Sequence, residues 1–196
     1  MKKSITLILV FLTPLIALGQ TKHLTLESNH STIGFVIDIA KGATKVTGKF
    51  TEADLKLTYV DADWTKSKVD FTIQVASINT GIPDRDNHLR TADFFDAEAF
   101  PTITFQSTSI SSKGGNKYEM TGLFTMHGIS ASKTIPFEVT YNEGNTLGIH
   151  IESEVDRIFH KVGHEFIHDS IEQFISDKIK VEIDFWTKSD KRFPKE

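Results

Sequence analysis

Residues 77–105 read SINTGIPDRDNHLRTADFFDAEAFPTITF. The middle of this stretch holds Arg85, Asp86 and His88, residue types that can run acid–base chemistry. Its second half is apolar, with Phe94, Phe95, Phe100 and Phe105. The choice is between a catalytic loop and the lid of something that holds an apolar molecule. Leu89, Ala92 and Phe95 fall near helical spacing, which predicts a short helix or compact loop over 83–96. From Ile103 the period changes to two, the signature of a strand.

That period of two dominates the chain on both sides. Ile33, Phe35, Ile37 and Ile39 share one parity, as do Leu55, Leu57 and Tyr59, and then Val69, Phe71, Ile73 and Val75. The pattern returns at Met120, Phe124 and Met126, at Ile135, Phe137, Val139 and Tyr141, at Leu147, Ile149 and Ile151, and at Ile179, Val181, Ile183 and Phe185. With a short run over 46–50, this predicts about eight or nine half-buried strands. Lys41-Gly42 and residues 61–63, 113–116 and 142–145 supply the turns. Strands with one apolar face close economically into an antiparallel barrel, which leaves no edge exposed. A two-sheet sandwich fits the same periodicity nearly as well. One further segment departs from it. Ile167, Ile171, Phe174 and Ile175 predict a helix over 164–176, with Gly163 as its boundary.

The central stretch closely resembles the signature of the YceI family. It contains the Ser-Ile-x-Thr of Ser77, Ile78 and Thr80, and the Arg-Asp-x-His-Leu that runs from Arg85 through Asp86 and His88 to Leu89. Asp-Phe-Phe-Asp follows over 93–96, then an aromatic–proline pair at Phe100-Pro101 and the strand that ends on Phe105. HSTIGFVI over 30–37, VTGKF over 46–50 and TGLFTMHGIS over 121–130 are similar to flanking family segments, so the resemblance covers roughly residues 28–185. Many members carry an arginine followed by an acidic–aromatic–glycine element. Here Arg157 is followed by the histidine-rich IFHKVGHEFIHD. The resemblance implies an all-β, extended lipocalin-like antiparallel β-barrel of about eight strands with one or two short helices. It also implies a pore for a long apolar chain such as a polyisoprenoid, an isoprenoid quinone or a fatty-acyl chain, and residence in the periplasm.

Residues 1–19 have their own logic. Lys2 and Lys3 precede an apolar run broken by Pro14, and Ala17 and Gly19 are small. This predicts a secretory signal peptide cleaved near Gln20, with residues 20–196 as one barrel domain in the periplasm or, alternatively, outside the cell. The run is too short for a spanning helix, and no later segment is long and apolar enough to be one. The chain has no cysteine, which excludes disulfides, thiol catalysis and a lipidated-cysteine anchor. Its formal net charge is −4, and loss of the two leader lysines makes it more acidic, which argues against a nucleic-acid partner. The expected state is a monomer or a homodimer.

Catalysis by Asp86 and His88 would require a nucleophile, and no nucleophile elbow or oxyanion loop accompanies Ser77 or Thr80. A hydrolase or isomerase acting on a lipid-like substrate through these two residues, and a solid barrel acting by protein contact, are the alternatives to lipid binding. The preferred reading is non-enzymatic and needs no cofactor. It places Arg85, Asp86 and His88 at a polar pore mouth and Phe35, Phe71, Phe105, Phe124, Phe137 and Ile149 on the apolar wall. Gly122 is the small inward position at which added bulk should block such a pore. No metal site is expected; His164 and His168, with His160 one turn earlier, are weak candidates because on a helix they would share a face.

Overall fold

The computed structural model describes residues 20–61 and 63–193, so the leader predicted over residues 1–19 lies outside the described residues. The alternating runs form strands β1 (Thr21–Leu26), β2 (Thr32–Ile39), β3 (Thr44–Phe50), β4 (Ala53–Val60), β5 (Lys68–Gln74), β6 (Ile78–Asn79), β7 (Thr102–Gly114), β8 (Lys117–Met126), β9 (Ile129–Glu143), β10 (Thr146–Asp156) and β11 (Ile175–Ser189). All pairings are antiparallel. β1 and β2 lie one after the other along β11, with Leu26 opposite Thr187 and Thr32 opposite Asp184. The β3–β4 and β5–β6 segments likewise continue one another, so the eleven segments make a closed barrel of eight staves. Closure through β11 selects the barrel over the sandwich that periodicity alone left open.

Two bulges change the reading of individual residues. Between β9 and β10 the register slips at Gly148/Ile149, which turns Tyr141 outward. There its ring packs at a tilt against Trp186, 4.8 Å between centroids, rather than facing inward with Val139. Between β7 and β8 the slip falls between Ser107 and Ser109, beside Gly122. A Cβ on Gly122 would collide with the Gln106 carbonyl and the Phe105 ring. Bulk at Gly122 therefore breaks the wall instead of filling a pore.

The helix expected over 83–96 is α1 (Pro83–Arg90). The one expected over 164–176 does not form. Residues 158–174 run as turns and loop, and Ile175 already begins β11. Arg157 pins both ends of this segment: its guanidinium donates to the carbonyls of Val162 and Gly163 before it and of Ile175 and Ser176 after it. Carbonyls held by a side chain fold the segment back on itself.

The barrel interior divides into two parts. At the end near the β4–β5 turn it is solid. Trp64 sits in a short 3₁₀ turn closed by Asp63, whose carboxylate accepts from the Thr65 N–H. Its ring lies 4.9 Å from Tyr59, 5.2 Å from Phe137 and 5.6 Å from Tyr118. Leu24, Leu57 and Leu147 are buried here as well. The other end is hollow.

Trp64→Ala should therefore cost about 3–5 kcal/mol, the usual loss on emptying a well-packed aromatic site. Urea melts measure it. A loss under about 1 kcal/mol would mean that Trp64 is not the plug.

Candidate functional site

The hollow half encloses a cavity of about 450 Å³, within the ~300–1,000 Å³ range of small-molecule sites. Its wall comes from the inward parity of most staves. Phe35, Phe71, Phe105 and Phe124, four of the residues named from sequence, lie on it. Phe137 and Ile149 do not: both are buried, and Phe137 stacks against Tyr118 in the solid half. Period two shows which side chains point inward, but not how far along the axis the plug extends. Opposite Phe35 on β3 lies Gly48, where any Cβ would strike the Phe35 ring. The cavity wall at this level thus depends on a glycine.

The open end is built by α1, by Phe94 and Phe95, by the Phe166 and Phe174 loop, and by the β2–β3 hairpin. Pro83 opens α1 at a position where its missing N–H costs nothing. Asp84 and Asp86 lie in its first turn, and His88 and Arg90 in its last, the charge order that the helix dipole favours. Asp86 is buried and accepts from both the N–H (2.8 Å) and the hydroxyl (2.5 Å) of Thr80. Arg85 donates to the Thr80 hydroxyl oxygen at 2.7 Å and to its carbonyl at 3.0 Å. The two charges thus meet through Thr80 rather than directly. Arg85 and His88 face the cavity, whereas Asp86 points back into this anchor. His88 Nε2 lies 3.0 Å from Asp93, and its ring edge meets Phe94. The Asp86–His88 pair that a hydrolase reading requires is not formed.

Three basic side chains at this end were not among the site residues expected from the sequence. Arg90 straps α1 to the strand before it, donating to the carbonyls of Ala76 and Ile78 at 2.8 Å each. Arg157, buried with its four carbonyls, lines the cavity, and so does Lys133 of β9. Burial pushes the Arg157 guanidinium down from its ordinary value, with Asp177 and Asp156 opposing. Lys133 was legible: it has the inward parity of Ile135 and Phe137.

The histidines do not converge. His160 is buried, donates from Nδ1 to the Met126 carbonyl at 3.2 Å, and has its pKa lowered by burial. His164 donates to the Lys161 carbonyl, and His168 stacks on Phe174. Among the described residues, the grouping with metal-ligand spacing is instead His150, Glu182 and Asp184 on the outer face of β10 and β11. There His150 is bonded to Asp184 at 2.8 Å, which raises its pKa.

A family model described as the YceI-like domain matches residues 24–186. The chain belongs to this family. A UPF0312 protein of Photorhabdus laumondii is 34% identical over 114 residues, 58% of each chain. The chain thus spans little more than half the length of that relative. BcnA of Burkholderia cenocepacia superposes with a TM-score of 0.73 at 24% identity, over 82% of this chain and 98% of that one. A polyisoprenoid-binding domain from Saccharophagus degradans superposes with a TM-score of 0.69 at 14% identity, over 86% and 99%. At these identities the two structures show the shared barrel.

Asp86→Ala should leave the Thr80 N–H and hydroxyl without their acceptor in a buried setting. The expected loss is about 1–3 kcal/mol in a urea melt. An unchanged midpoint with weakened ligand uptake would assign Asp86 to binding rather than to anchoring the lid.

Proposed function

We propose that this protein holds one long apolar molecule, a polyisoprenoid, isoprenoid quinone or fatty-acyl chain, in the hollow half of its barrel. It acts by binding, without catalysis. It is exported through its leader, is cleaved near Gln20 and works in the periplasm. The observation that carries the reading is the cavity itself: a large apolar space beneath α1, walled by aromatic and branched side chains such as Phe71, Phe105, Phe124 and Phe185. Each CH₂ drawn into it contributes roughly 0.8 kcal/mol, less the cost of ordering the chain. Long flexible chains therefore gain most. The likeness to a barrel described as polyisoprenoid-binding supports the same class of ligand.

Ser153 tests this. It is a small residue of β10 on the cavity wall, opposite Val181. A tryptophan here enters empty space. Ser153→Trp should weaken binding of a fluorescent fatty acid by about tenfold or more, roughly 1.4 kcal/mol, with the thermal midpoint little changed. Unaltered binding would contradict the reading. So would the loss of stability, about 1–3 kcal/mol, that follows when bulk is forced into a filled core.

A further inference from the structure

The barrel is closed unevenly. The β9–β10 ladder runs from Thr146 opposite Glu143 to His150 opposite Glu138 and ends there. Beyond it, residues 129–137 of β9 pair only with β8, and residues 151–156 of β10 pair only with β11. Two strand edges thus face one another across a seam beside the cavity. The link across it is a side chain: Lys133 donates from Nζ to the Glu154 carbonyl.

The ionisable side chains that reach the cavity are all basic. Arg85, His88, Lys133 and Arg157 line it, with no aspartate or glutamate, in a chain whose net charge is −4. Three of these are already engaged. Arg157 is bonded to four carbonyls, Arg85 to Thr80 and His88 to Asp93. Lys133 is different. An ammonium has three N–H donors, and among the described residues Lys133 has one neutral acceptor and no carboxylate within ion-pair distance. On β8 it lies opposite Gly122, which has no side chain to cover it.

We propose that Lys133, at the seam between β9 and β10, is the binding site for an anionic head group on the ligand. The molecule held is then a single-chain amphiphile ending in a carboxylate or a phosphate, with its tail along the apolar wall. This rests on the reading that the cavity holds a chain. The chemistry favours it in two ways. A half-buried ammonium without a counter-charge is costly, and an arriving anion supplies that charge and accepts the remaining donors. The seam also lets a polar group reach Lys133 from the side while the tail stays dry, a route the fully laddered half of the barrel does not offer. Burial holds the Lys133 pKa below the ordinary lysine value, Lys178 pushes it the same way, and Glu154 opposes. That is the state of a cation still short of negative charge.

Oleate, methyl oleate and farnesyl phosphate separate the possibilities, with affinities measured for wild type, Lys133→Gln and Lys133→Arg after thermal melts confirm folding. Wild type should bind the two anions about tenfold or more tighter than the neutral ester. Lys133→Gln should bring all three within about twofold by weakening the anions alone, and Lys133→Arg should keep the preference. The tighter of the two anions identifies the head group as carboxylate or phosphate. Equal binding of ester and anions by wild type, a preference that survives in Lys133→Gln, or an equal loss of all three ligands in that variant would overturn the head-group site. The chain-holding reading would stand in each of these cases. Failure of all three to bind wild type would overturn both.

Discussion

Closing eight strands satisfies the ladder hydrogen bonds everywhere but at the short β9–β10 seam, and it fixes the width of the space inside. Side chains must fill that space, or it stays open to a ligand. Here the filling is incomplete and lopsided. Trp64, held in a turn by Asp63 and packed on Tyr59, Tyr118 and Phe137, plugs one half. Stability can be drawn from this solid half and from the closed ladder, which leaves the other half free to remain hollow.

The hollow half needs a rim, and a rim of loops would fray without anchors. Arginine supplies them. Arg90 and Arg85 tie α1 to the segment before it, and Arg157 folds the 158–174 segment by taking up its carbonyls. Each guanidinium satisfies several acceptors at once, so a few side chains order a lid that has little regular structure. The trio Arg85, Asp86 and His88 is thus chiefly architecture. Its polar groups are used on Thr80 and Asp93, and only Arg85 and His88 also border the cavity.

Much of this was legible in the sequence. Strict alternation in β2, β5 and β11 placed Phe35, Phe71 and Phe185 inside, because a buried face can tolerate only one register. The 77–105 stretch identified the family and, with it, the barrel. What escaped has specific causes. A bulge adds a residue without altering composition, so Tyr141 read as inward and Gly122 as roomy. The 164–176 run has helical spacing, yet Arg157 just ahead of it pins the carbonyls on either side of the loop, and Phe166 and Phe174 face the cavity. Parity also carries no axial coordinate, so nothing in the pattern separated Phe137 in the plug from Phe105 on the wall. Lys133 shows the reverse: its inward parity was visible, but a lysine in a strand reads as solvent-facing.

The central claim is that the hollow half is occupied in the working protein. The most direct measurement is mass spectrometry of an organic extract of protein purified without detergent from its own host, with the ligand quantified against the chain. A single class of long-chain apolar molecule, recovered close to equimolar, is the predicted result. Protein that yields no chain lipid, and whose cavity is filled by ordered water in a crystal grown from the same preparation, would contradict it.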